Sequence, residues 1–129
     1  MKLTLATFAV LAGLAQAAPK GIFPPPPPPA NDIKIDNLVP IRMRDGVILY
    51  ADVYRPAKQG KYPVLVSRTP YSTERAPAAY AAPVFFARRG YVFVFQDVRG
   101  RHESEGKWDP FRSEQEDGYD TIEWAAAQP

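Results

Sequence analysis

Residues 64–72 read VLVSRTPYS, an apolar run interrupted by Arg68, Thr69 and Pro70 and closed by Tyr71. A phenol is neutral at pH 7 and donates one directed hydrogen bond. At the end of a buried strand it can cover the core with its ring, or present that donor to a site. The neighbouring residue types narrow what such a site would be. A serine nucleophile needs a base and an orienting acid, and in α/β proteins it sits on a G-x-S-x-G turn between strand and helix. The serines are Ser67, Ser72, Ser104 and Ser113, and none lies in that motif. The single histidine, His102, stands two residues from Ser104 with Asp97 upstream. A local Ser104–His102 dyad is one reading of this spacing; an exposed loop histidine is the simpler one, because working triads join residues distant in sequence around a buried acid. With no cysteine in the chain, thiol nucleophiles, thiolate metal sites and disulfides are excluded.

Glu103, Glu105, Glu114, Glu116, Asp117 and Asp120 form an acidic stretch. Its spacing does not match the alternating oxygen ligands and central glycine of a calcium loop, so no metal or other cofactor is expected. A polar loop entering the N-terminus of a helix, where the backbone dipole favours negative charge, accounts for these residues. DVRG, Asp97 to Gly100, sets an aspartate at the end of an apolar run two residues before an arginine. It reads as an ion-paired turn that fixes the following loop, and that loop lies where α/β sheets line their ligand sites.

The elements that must carry these residues follow from pattern. Leu38–Met43 and Val47–Tyr54 flank Arg44-Asp45-Gly46, and Asp-Gly between apolar runs signals an antiparallel hairpin. Tyr62–Ser67 and Tyr91–Asp97 are apolar and β-branched or aromatic, as in strands buried on both faces. Ala76–Arg89 is alanine-rich and ends at Gly90, a helix C-terminus signal, with Pro83 expected to split it into two pieces. Glu114–Ala127 reads as a second helix carrying Tyr119, Ile122 and Trp124. Strand, helix, strand, helix after a hairpin is the order of an α/β fold: an antiparallel opening hairpin, then parallel strands with crossover helices.

The first 18 residues stand apart. Lys2, the apolar run Leu3–Leu14 and Ala15-Gln16-Ala17 before Ala18 form a secretory signal with cleavage near Ala17/Ala18, which predicts a periplasmic or secreted protein. The apolar run is too short to span a bilayer, so no membrane span is expected. Pro24–Pro29 is a stiff polyproline spacer, about 20 Å long at about 3.1 Å per residue. The formal net charge of +2 is spread over interspersed signs with no basic stripe, which argues against nucleic acid as a partner.

RMRDGVILYADVYRP, PVLVSRTPY, FFARRGYVFVFQDVRGRHESEG and DGYDTIEWAAAQP, in this order, resemble the amino-terminal part of α/β-hydrolases related to Xaa-Pro dipeptidyl-peptidases. That group includes cocaine-esterase-like enzymes, glutaryl acylases and α-amino acid ester hydrolases. The resemblance covers roughly Val39–Pro129. Beyond the signal read over 1–18 and the proline-rich linker over 19–36, it implies an amino-terminal hydrolase segment over 37–129, short of the nucleophile elbow and of the later aspartate and histidine. It further implies a serine hydrolase that transfers the acyl group of a small-molecule ester or amide, or of a peptide, to water without a cofactor, with this segment inactive alone. By the same resemblance Tyr71 is an oxyanion-hole donor, and many relatives carry glycine at the place of His102. The competing expectation is a non-catalytic exported α/β module that binds through its proline tract or an open sheet edge.

Overall fold

The computed structural model describes residues 28–71 and 77–129, the side chains of 77–80 excepted. The signal-like segment and most of the proline run lie outside the described residues. Four strands and two helices follow in the order β1 (Ile33–Arg42), β2 (Ile48–Pro56), β3 (Val64–Thr69), α1 (Pro77–Ala87), β4 (Val92–Asp97) and α2 (Glu114–Ala126). The strands form one mixed sheet ordered β1-β2-β4-β3. β2 pairs antiparallel with both β1 and β4, whereas β3 runs parallel to β4 in the register Val64↔Val92 to Thr69↔Asp97. The α/β expectation, with its opening hairpin, holds.

The hairpin turn forms where Asp-Gly predicts it. Gly46 N–H donates to Met43 C=O and Met43 N–H to Val47 C=O, and Gly46 has φ +89°, a conformation that glycine adopts at little cost. β1 begins at Ile33, inside the stretch read as linker, and residues 33–36 pair with 53–56 of β2. Ile33 and Ile35 alternate with Lys34 and Asp36, a strand pattern masked by the irregularity that follows. The pairing shifts between Asp36 and Val39, where Leu38 has φ +52° and its N–H donates to Asp52 Oδ1 at 3.1 Å.

α1 is continuous through Pro83, contrary to the expected break. Proline lacks one helical donor, but its φ is compatible with a helix, and here its ring is fully buried. The helix ends as Gly90 requires: Tyr91 N–H reaches Phe86 C=O, Gly90 N–H reaches Ala87 C=O, and Gly90 has φ +86°. The Phe86 and Tyr91 rings meet edge to face across this turn at 5.7 Å.

Strand alternation divides the core between the two faces of the sheet. Tyr54, Phe93 and Phe95 pack with Ala87, Val84 and Phe86 of α1. Ile41, Met43, Leu49, Ala51, Val53 and Val94 form the other layer, with Trp124 of α2 against it. Three layers result, helix on sheet on helix, and the carboxyl ends of β3 and β4 lie side by side where the loops to α1 and α2 begin.

Candidate active site

The chemistry-bearing residues of the sequence gather at those two strand ends. β3 closes with Thr69, whose carbonyl accepts Val98 N–H at 3.0 Å. The Thr69 hydroxyl then brackets the next residue but one: it accepts Tyr71 N–H at 3.0 Å and donates to Tyr71 C=O at 3.1 Å. Between them, Pro70 C=O accepts Arg101 Nε–H at 3.0 Å and stands 3.2 Å from His102 Nε2. Tyr71 itself is 76% exposed. Its ring therefore does not cover the core of this segment, and of the two readings open to a tyrosine at a strand end, packing finds no support in this structure.

The loop after β4 owes its shape to a buried hydroxyl and a glycine. Ser104 is buried; its Oγ accepts Tyr50 N–H at 2.9 Å and donates to Asp97 C=O at 2.7 Å, stitching the loop to β2 and β4. That bonding overturns the local dyad, since the Ser104 hydroxyl proton goes to a backbone carbonyl and the His102 ring meets Pro70 instead. Gly100 has φ +68°, and a Cβ there would stand 2.1 Å from Trp108 N, so no larger residue fits. His102 has φ +51°, the left-handed region that glycine occupies cheaply and most other residues do not.

DVRG does contain an ion-paired arginine, but its partner is not Asp97. Arg99 Nη2 and Nε donate to the two Asp117 oxygens at 2.6 and 3.0 Å, and Nη1 donates to Asp45 at 2.7 Å. Two carboxylates raise the already high pKa of the guanidinium, through the Asp117 hydrogen bonds first, and Arg99 in turn holds the Asp45 carboxyl below the usual range. Arg68 approaches Asp117 from β3 and also bonds Glu114 and Gln96 Oε1, the last at 2.7 Å. Thr121 completes the cluster: its hydroxyl lies 2.7 Å from Asp117 C=O and 3.0 Å from Gln96 Oε1. Nearby, Arg44 grips Asp120 with three side-chain contacts of 2.7–3.1 Å and holds its carboxyl below the usual range.

Three of the six acidic residues, Glu114, Asp117 and Asp120, are thus committed to docking α2, and no group of three or more metal-ligating side chains occurs among the described residues. No helix among them is long and apolar enough to cross a membrane. Sequence reasoning missed Arg68 and Arg101. A charge inside the run VLVSRT was the available signal for Arg68; nothing local to the chain singled out Arg101.

The chain is similar in sequence and fold to known proteins. The model of the X-Pro dipeptidyl-peptidase (S15) family matches residues 45–129. The chain belongs to that family. It is 40% identical over 93 residues to the cocaine esterase of Rhodococcus sp. (strain MB1 Bresler), which covers 70% of this chain and 16% of that protein. Among solved structures it is similar to a CocE/NonD family hydrolase from Staphylococcus aureus, at 32% identity and a TM-score of 0.66, covering 74% of this chain and 21% of that one. It also resembles an α-amino acid ester hydrolase, at 29% identity and a TM-score of 0.59, covering 87% and 22%. The chain thus spans about a fifth or less of the length of these S15-type relatives, and its sheet is the amino-terminal part of an α/β-hydrolase sheet.

Proposed function

We propose that this chain is the amino-terminal portion of an exported serine hydrolase, and that Tyr71 donates a hydrogen bond to the oxyanion formed during acyl transfer from an ester, amide or peptide. The observation that carries the reading is Tyr71 itself: an exposed phenol at the carboxyl end of β3, on a backbone held at three successive positions. Attack of a serine hydroxyl on an acyl carbon moves negative charge onto the carbonyl oxygen. A preorganised O–H aimed at that oxygen lowers the barrier because it binds the transition state better than the substrate. The four serines of this chain lie outside any elbow motif, so the reading assigns nucleophile, base and acid to sequence beyond residues 1–129. The names of two relatives, an esterase and an ester hydrolase, support ester chemistry, and the family description, a dipeptidyl-peptidase, supports peptide chemistry.

The test is Tyr71→Phe in the full-length protein, which removes the O–H alone. The expected outcome is a fall in kcat of roughly 10²-fold with unfolding unchanged. An unchanged kcat with lower stability would return Tyr71 to a packing role. Export is tested separately: mass spectrometry of the protein from a secreting host should find a new amino terminus near Ala18, and an intact Met1 on the exported protein would refute it.

A further inference from the structure

We infer that Arg101 and His102 are positioning residues for Tyr71, acting together through the Pro70 carbonyl. The inference rests on the oxyanion role proposed for Tyr71 and adds two residues to it. A peptide unit is planar, so the Pro70 carbonyl oxygen and the Tyr71 N–H belong to one rigid group. The structure holds both sides of that group. Thr69 Oγ1 accepts the N–H at 3.0 Å, and Arg101 Nε and His102 Nε2 lie 3.0 and 3.2 Å from the oxygen. The Thr69 hydroxyl also donates to Tyr71 C=O at 3.1 Å, on the far side of the N–Cα bond, so with the plane fixed rotation about that bond is limited too and the phenol is left mainly with its side-chain torsions.

The two donors come from a rigid base. Ser104 ties their loop to β2 and β4 through its buried hydroxyl, and Gly100 N–H donates to Glu105 C=O at 2.9 Å across the turn that carries them. The Arg101 guanidinium also lies over the Trp108 ring, 5.3 Å from its centroid, which limits its swing. The backbone of His102 is the second argument. Its φ of +51° is one that glycine holds without strain, yet this chain places there an imidazole that meets Pro70 C=O. Glycine would serve the turn with less strain, and the imidazole adds what glycine lacks, a ring nitrogen 3.2 Å from the carbonyl of the peptide in front of Tyr71.

The experiment separates a turn role from a positioning role in the full-length protein, with p-nitrophenyl acetate as the activity probe and amide hydrogen exchange at Tyr71 as a readout that needs no substrate. His102→Gly relieves the backbone and removes the donor. Positioning requires that its Tm stay or rise while kcat falls roughly tenfold with KM little changed. Arg101→Leu should lose activity similarly, and Arg101→Lys, which can still reach the carbonyl with a donor, should recover part of it. In the double variant Arg101→Leu/His102→Gly, exchange at the Tyr71 amide should quicken roughly tenfold. Added to Tyr71→Phe, His102→Gly should lower kcat by less than about twofold, because the group it positions is gone. Wild-type kcat and wild-type Tyr71 exchange in the double variant would overturn the inference. If Tyr71→Phe alone leaves kcat intact, the oxyanion reading fails, and exchange at Tyr71 then decides the clamp by itself: faster exchange supports it, unchanged exchange refutes it.

Discussion

The two helices are held to the sheet by different physics. α1 docks through Phe86, Val84 and Ala87 against Phe93, Phe95 and Tyr54, with the Phe86 and Phe93 rings 6.0 Å apart. α2 docks through Trp124 at one end and, toward the carboxyl ends of β3 and β4, through Arg68, Arg99, Gln96, Asp117 and Thr121. Apolar contact is non-directional and scales with the area removed from water, so it holds a helix firmly but tolerates small shifts. Charged hydrogen bonds demand particular distances and angles, so they fix register. The polar contact lies beside the loops of the candidate site, and the apolar one behind it. Position is specified most sharply where chemistry is expected.

Conservative substitutions should separate the two faces. The largest effect is expected from Asp117→Asn, nearly equal in shape but without the charge. It leaves two arginines, each less than 15% exposed, facing a neutral amide whose side-chain side is 1% exposed. Loss of one partner from such a buried group costs about 3–5 kcal/mol, and a fall in the urea midpoint with unchanged slope would show it. An effect below about 1 kcal/mol would mean that Asp45 alone suffices for Arg99. On the α1 face, Phe93→Leu changes shape and volume yet should cost only about 1.5 kcal/mol, because neighbouring side chains can move into the space. If Phe93→Leu proved the more damaging of the two, the contrast between the faces would collapse.

The smallest effect is expected from pH. Asp45 and Asp120 are held below the usual carboxylate range by hydrogen bonds from Arg99 and Arg44 respectively, and Asp36 by Arg55. Their folded pKa values lie below the unfolded ones. The stability they contribute is therefore fully present above about pH 4 and lost as pH falls through the lowered values. These carboxylates sit near solvent, so each contributes modestly. Two of the three support α2 directly or through Arg99, so amide exchange in α2 should quicken before that in α1 as pH drops below about 4. Simultaneous loss in both helices would indicate one cooperative unit.

Legibility in the sequence followed the range of the interactions. The Asp45-Gly46 turn, the Gly90 helix end and β4 are set by residues within a few positions of one another and appear where their patterns predict. β3, by contrast, runs two residues later than Tyr62–Ser67 and, at the edge of the described sheet, is half-buried rather than buried on both faces. The four ordered motifs carried the family. The early start of β1 was readable from Ile33 and Ile35 but hidden by the irregularity at Leu38. Tyr71 was singled out as the end of a strand; the brace around its peptide was not.

By itself the sequence determined the order and type of the elements, their turns and the membership of the chain in its family, because backbone preference and hydrophobic period act locally. Only the tertiary structure decided which charges meet. With 16 lysines and arginines and 14 aspartates and glutamates, the chain offers many equivalent pairs, and spacing alone paired Arg99 with Asp97 rather than with Asp117 and Asp45. Arg44 finds Asp120 at a separation of 76 residues, and Arg101 finds Pro70 at 31. The helical path through Pro83 likewise depends on the pocket that buries its ring. A hydrogen bond requires its partners at one distance and angle, and for residues so far apart in the chain that geometry exists only once the sheet has brought its strand ends together.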